Sequence, residues 1–127
     1  TELERQALRL ADYTQALVAA ENESLLSDEE RRGFEKRLGV PIYRLLRIDA
    51  AMFLAMECPR CRLLHCRRDA YFVETLAEEE DDAAENPLVV TNWFAGTSPT
   101  VRYLSQLRGS LKPSGCPRGP KDLRIAV

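Results

Sequence analysis

The sequence predicts a mostly α-helical domain, a small bundle of about five helices with its carboxyl-terminal tail tied back to the body. Two observations lead to this prediction. Apolar residues recur at intervals of three and four positions along much of the chain, and helix-capping signals flank several of these stretches. At 127 residues, the chain has the length of one domain that buries its own core. Residues 1–127 are therefore predicted to form a single helical domain, in which 109–127 is the extended tail.

The first two helices are predicted from periodicity and from capping. Residues 1–23 carry a stripe that includes Leu3, Leu10 and Leu17, with charged residues off the stripe. The second helix begins after Ser27, because Ser-Asp-Glu-Glu is a capping box. It ends at Gly39, a residue type that commonly terminates helices.

The third helix is predicted to be the central one. It begins at Pro41, which suits the first turn of a helix, and continues to the cysteine-rich segment. Its residues are apolar on nearly every side, with Ile42, Leu45, Met52 and Phe53 expected in the core. Residues 34–48, which span the end of the second predicted helix, the glycine turn and the start of the third, resemble a DNA-binding helix-turn-helix, but the would-be recognition helix is too apolar to lie in a groove of DNA.

The rest of the chain is predicted to contain two more helices, at 63–79 and 99–107, on either side of a charged loop at 78–85. Residues 88–90 are β-prone and predict a brief strand or a loop anchor. From residue 109 onward the composition is rich in Gly, Pro and Ser, which is typical of loops.

A metal site is predicted from the cysteines. Cys58 and Cys61 form a Cys-x-x-Cys turn, which supplies two ligands from one short loop. The other two ligands come from His65, Cys66 and the remote Cys116. On a helix, His65 and Cys66 would point about 100° apart and could not both bind one ion easily. The favoured set is Cys58, Cys61, His65 and Cys116, with Cys66 replacing His65 as the alternative. Thiolate and imidazole ligands favour a structural zinc.

Three other interpretations of the cysteines stay open. Cys66 is also compatible with an ordinary buried thiol, and an even number of cysteines permits two disulfides. The Cys-x-x-Cys turn is compatible with a redox pair, although no βαβ pattern surrounds it. We expect an intracellular protein of the cytoplasm or nucleus, without a membrane span, since no signal peptide is present in this sequence. A reducing compartment favours a metal or free thiols over disulfides.

The predicted function is non-enzymatic. The single histidine has no orienting partner at a defined spacing, and neither a phosphate-binding loop nor a nucleophile motif is present. Four protein ligands would also close a zinc site to substrate. We therefore expect a regulatory or adaptor domain that binds another protein, with its oligomeric state open. Trp93 and Phe94 are candidate anchors for the partner, and an equally good interpretation places them in the core.

Nucleic-acid binding is the alternative function. The net charge is −2, but basic residues are concentrated near the predicted metal site and in the tail. Such a cluster neutralises phosphates. If Cys116 binds the same metal ion, the basic residues of the tail would lie beside those near the Cys-x-x-Cys turn. The candidate residues are Arg60, Arg62, Arg67, Arg68, Arg118 and Lys121.

Overall fold

The fold is built on a mixed β-sheet, so the predicted helical bundle is wrong. The computed structural model of the protein describes residues 10–76, 85–93, 99–112 and 115–127. Of these residues 46% lie in strands, and they contain a single α-helix. The strands are β1 (Leu17–Asn22), β2 (Ile42–Ile48), β3 (Phe53–Glu57), β4 (Leu64–Cys66), β5 (Tyr71–Thr75), β6 (Asn86–Asn92), β7 (Tyr103–Lys112) and β8 (Leu123–Ala126), and the helix is α1 (Asp28–Leu38).

The strands of the described ranges form one sheet in the order β1-β2-β3-β4-β8-β7-β6-β5. The first two strands run parallel, and the other neighbouring pairs are antiparallel. The last strand in sequence, β8, lies in the middle of the sheet between β4 and β7. The segment at 109–127, predicted to be an extended tail tied back to the body, thus contains the end of β7 and the whole of the central strand β8.

The predicted central helix is replaced by β2, a short 3-10 turn at Asp49–Ala51 and β3. Phe53, Ala55 and Glu57 point into the core, and Leu54 and Met56 point outward. Burial thus alternates with the two-residue period of a strand. The sequence does not show this period, because the side chains on both faces are apolar. Ile42 and Phe53 are buried as predicted, whereas Leu45 is only partly buried and Met52 is 68% exposed, so these two are not core residues.

The other long helices are also wrong. Residues 17–22 of the predicted first helix are β1, and residues 1–9 lie outside the described residues. The predicted helix at 63–79 is β4 and β5, and its last residues lie outside the described ranges. The predicted helix at 99–107 contains the start of β7. The β-prone run at 88–90 does lie in a strand, β6. The pairing of strands that are distant in sequence determines the structure of these segments, because the secondary-structure propensity of single residues is only a weak preference.

Helix α1 is the one element whose bounds and caps were predicted. Ser27 and Glu30 form the capping box, and Gly39 ends the helix in the left-handed conformation at φ 71°. The helix has no buried residue. It is held to the sheet by polar contacts instead: Arg31 binds Glu57 at the end of β3, and Glu35 accepts a hydrogen bond from the Ile42 amide.

The sheet curls around one core, so that strands distant in the strand order come into contact. The rings of Phe53 on β3 and Tyr71 on β5 lie 4.8 Å apart. Glu23, just after β1, accepts hydrogen bonds from the Tyr103 hydroxyl and the Gln106 amide on β7.

No helix in the described ranges is long and apolar enough to cross a membrane. The buried cluster consists of Leu46, Ile48, Ala51, Phe53, Ala55, Leu64, Cys66, Val73, Leu88, Val90 and Ile125.

Candidate metal centre

Four side chains from two distant parts of the chain converge at one end of the sheet. The ligand atoms of Cys58, Cys61, His65 and Cys116 all lie within 4.8 Å of one another. The Sγ atoms of Cys58 and Cys116 are 3.8 Å apart, and Cys61 Sγ is 3.1 Å from His65 Nε2. These distances suit four ligands around one ion at about 2.0–2.3 Å each. The favoured ligand set of the sequence analysis is thus assembled in the fold and could hold a metal ion.

The Cys-x-x-Cys turn is shaped by its own backbone hydrogen bonds. The Cys58 amide donates to the Leu63 carbonyl, and the Arg62 amide donates to the Cys58 carbonyl, both at 2.9 Å. Arg62 adopts the left-handed conformation at φ 61°, an uncommon conformation for a non-glycine residue. The turn connects β3 to β4 and brings both thiols to the same side. The Arg60 amide also donates to Cys58 Sγ at 3.4 Å.

The choice between His65 and Cys66 follows from the strand that holds them. Both lie in β4, where successive side chains point to opposite faces. His65 faces the thiols, whereas Cys66 points into the buried cluster. Burial raises the pKa of Cys66 to about 12, which keeps it a protonated thiol. Cys66 is therefore an ordinary core thiol, as one of the open interpretations held.

Asp122 is part of the centre and was missed in the sequence. Its Oδ2 lies 3.2 Å from His65 Nδ1, on the side of the ring opposite the thiols. A carboxylate at this nitrogen holds the proton there and leaves Nε2 free to bind a metal. Gly119 permits the contact, because a Cβ at that position would collide with the Asp122 carboxylate and His65 Nδ1. No spacing rule could have linked Asp122 to a histidine so far away in sequence.

The thiols of Cys58 and Cys116 differ in acidity. Burial raises the pKa of Cys58, but hydrogen bonds from the backbone amides of Cys61 and Arg60 outweigh burial and place its pKa below the ordinary value. For Cys116, the Arg118 amide lowers the pKa, but burial and the neighbouring thiols leave it above the ordinary value. Of these two thiols, Cys58 therefore ionises more readily, and an ionised thiol is the form that binds metals.

A buried carboxylate lies directly beside the centre. The side chain of Glu57 has no exposed surface, yet it binds three arginines. Arg31 Nη1 lies 2.6 Å and Arg62 Nε 3.2 Å from its Oε1, and the Arg44 amide donates to its Oε2 at 2.9 Å. Burial raises the pKa of Glu57, but the Arg44 amide and the three guanidinium groups outweigh it and hold the pKa below the ordinary value. Glu57 thus connects the metal-binding turn to β2 and α1.

The proposed nucleic-acid residues are only partly brought together. Arg67, Arg68 and Lys121 line one cleft of about 490 Å³ with two aspartates. Arg62 forms an ion pair with Glu57, and its guanidinium carbon lies 5.1 Å from the ring centroid of Tyr43. The remaining candidates, Arg60 and Arg118, are exposed on the two turns that carry the thiols.

Of the two aromatic candidates, Trp93 is 62% exposed and lies 6.3 Å, between ring centroids, from the half-exposed Phe72. The core interpretation of Trp93 is therefore wrong. Phe94 lies outside the described residues.

No model of a known protein family matches the chain, and none of the curated proteins matches it.

Proposed function

We propose that the protein is a non-enzymatic regulatory or adaptor domain, held together by a structural zinc, that binds another protein. The observation that carries the proposal is the Cys58, Cys61, His65 and Cys116 cluster. Three thiols and one imidazole are soft and borderline ligands, which favour zinc over magnesium or calcium. Four protein ligands fill a tetrahedral zinc and leave no position for substrate, as in structural sites.

The surroundings of the cluster also support a structural role. The β3–β4 turn provides Cys58 and Cys61, whereas Cys116 comes from the segment that precedes β8. An ion held by both segments would join the turn to the central strand of the sheet. With a metal ion on Nε2, His65 would not be free to act as a general base, because Nε2 faces the thiols and Nδ1 lies against Asp122.

The protein-binding part of the proposal is supported by the outer face of β1–β3. Strand register places Val18, Leu45, Leu54 and Met56 on this face, and His65 pairs with Met56 at its border. Leu54 is 50% exposed and Met56 43%. The same register also places Tyr43 and Arg47 on this face, with Arg47 opposite Leu54. Exposed apolar residues grouped in this way are typical of interaction sites.

The partner that fits this face is an extended protein segment. β1 ends the strand order of the described sheet, and it carries the exposed Val18. A segment that adds to such an edge through backbone hydrogen bonds would place every second side chain over the apolar face. The partner segment is therefore expected to alternate apolar and polar residues.

The zinc is tested by elemental analysis of protein purified without chelators, with about one zinc per chain expected. A chelator should lower the unfolding temperature, since binding of a structural metal contributes to the free energy of folding. Metal-free protein with unchanged thermal unfolding would contradict the proposal.

The protein-binding surface is tested with displayed random peptides. Peptides selected on the wild type should alternate apolar residues and should lose binding to a Leu54→Lys, Met56→Lys double variant. Val101→Lys is the matched control, because Val101 is an exposed apolar residue outside β1–β3. Equal binding of the selected peptides to the double variant would refute the assigned face.

A further inference from the structure

A second surface combines free cations with exposed aromatic rings. Arg68 and Lys121 line the cleft of about 490 Å³, together with Arg67, Asp69 and Asp122. Both aspartates already have partners, because Asp69 is bound by Arg67 and Asp122 lies against His65. Within the described ranges Arg68 and Lys121 form no ion pair. The three cations and two carboxylates of the cleft leave a net charge of +1, and Arg68 and Lys121 are the cations without an ion pair in the described part of the chain.

The aromatic rings continue directly from this cleft. Arg68 also lines a neighbouring cleft of about 350 Å³, whose wall includes Phe72 on β5. Phe72 is 50% exposed, and beside it the ring of Trp93 is more exposed still. Glu74, on the same strand, is paired with Arg102 at 3.3 Å, so its charge is compensated. Cations and aromatic rings thus follow one another along a single surface.

We infer that this surface, formed by Arg68, Lys121, Phe72 and Trp93, binds single-stranded nucleic acid. Uncommitted cations attract phosphates, and exposed rings stack on bases of any identity. Stacking on protein aromatics needs unpaired bases, so single strands fit and duplexes do not. The inference goes beyond the proposed protein binding, because these residues lie outside the outer face of β1–β3. It differs from the sequence-based basic patch, because it keeps only Arg68 and Lys121 of that patch and adds the aromatic pair Phe72 and Trp93.

Trp93 provides a direct measurement, because it is the only tryptophan of the chain. The zinc-loaded protein is titrated with oligothymidylate or oligouridylate of about ten nucleotides, a typical site size for a single-strand-binding domain. Stacking of a base on Trp93 should quench its fluorescence. A duplex of the same length should bind more weakly and quench less.

Variants separate stacking from charge. Trp93→Ala should weaken binding about 5- to 150-fold, the equivalent of one lost base stack, without changing the salt dependence. Trp93→Phe should restore most of the affinity, because it keeps an aromatic ring. Lys121→Gln and Arg68→Gln should each reduce the slope of log affinity against log salt concentration by about 0.7. Affinities of the variants are measured by anisotropy of a labelled strand.

Matched controls are Tyr13→Ala, an exposed aromatic residue elsewhere, and Lys36→Gln, an exposed cation on α1. Neither should change affinity or salt dependence. Unchanged affinity of Trp93→Ala would overturn the inference, as would a duplex that binds as tightly as the single strand. Equal competition by polyglutamate would also overturn it, since the surface would then be a site for acidic peptides.

Discussion

Replacement of Glu57 by glutamine should strongly destabilise the protein. The side chain keeps its size, but the negative charge that compensates Arg31, Arg44 and Arg62 is lost. Both carboxylate oxygens accept hydrogen bonds in the structure, one from Arg31 and the other from the Arg44 amide. Glutamine offers one acceptor oxygen and would direct an NH₂ group at a donor on the other side. At least one buried donor would then lack an acceptor.

The loss in the free energy of unfolding can be worked out from these contacts. A buried donor without an acceptor costs about 1–3 kcal/mol, and removal of one partner from a buried ion pair costs about 3–5 kcal/mol. Arg62 is partly exposed and therefore partly solvated, so we expect the lower end, about 3 kcal/mol. If the free energy of unfolding falls by about 1.5 kcal/mol per molar urea, this loss should lower the urea concentration at the unfolding midpoint by about 2 M.

The assay is equilibrium urea unfolding at a fixed concentration of free zinc, because a bound metal adds to the apparent stability. Asp69→Asn is the control, since it removes an exposed carboxylate from a surface pair with Arg67 and should cost less than about 1 kcal/mol. In an Arg31→Met background, Glu57→Gln should cost less than it does alone. The reasoning fails if Glu57→Gln costs no more than Asp69→Asn, or if its effect is the same in both backgrounds.

Further predictions concern the metal centre and the core. Cys58→Ser should abolish stoichiometric zinc and lower the unfolding temperature, whereas Cys66→Ala should keep the zinc, both checked by elemental analysis and calorimetry. Asp122→Asn should weaken zinc affinity about 10- to 100-fold in a chelator competition, because His65 loses its orienting carboxylate. Gly119→Ala should weaken zinc affinity in the same assay, and full affinity would contradict the assigned role of Asp122. Phe53→Ala should cost about 3–5 kcal/mol in urea unfolding, and a cost below about 1 kcal/mol would contradict its place in the core.

The local parts of the fold could be predicted, because their determinants are close in sequence. Ser27, Glu30 and Gly39 carry their own capping chemistry, and the structure has the helix that they predict. The Cys-x-x-Cys spacing likewise identified two members of the cluster. Cys116 was selected by elimination, as the one remote cysteine, and the fold places it with the others.

Strand β3 was not predicted, because its apolar residues lie on both faces. β3 exposes Leu54 and Met56 outward, so the alternation that marks a half-buried strand is missing. The same segment contained an overlooked signal in Glu57. A single acidic residue in an apolar run needs a charged partner if it is buried, and that need could have indicated the arginine cluster. Asp122 had no comparable signal, since only the fold brings it to His65.

The position of β8 between β4 and β7 has a consequence for folding on the ribosome. Until residues 123–126 have emerged, the two neighbouring strands each lack a partner, and the middle of the sheet cannot be completed. The three ligands at 58–65 are synthesised long before Cys116, so an ion captured early would have an incomplete shell until the last part of the sheet arrives. Contacts between segments so far apart in sequence form slowly compared with contacts between neighbouring strands. A nascent chain stalled before residue 116 should therefore be sensitive to proteases and should gain protection only when Cys116 and β8 are both outside the exit tunnel.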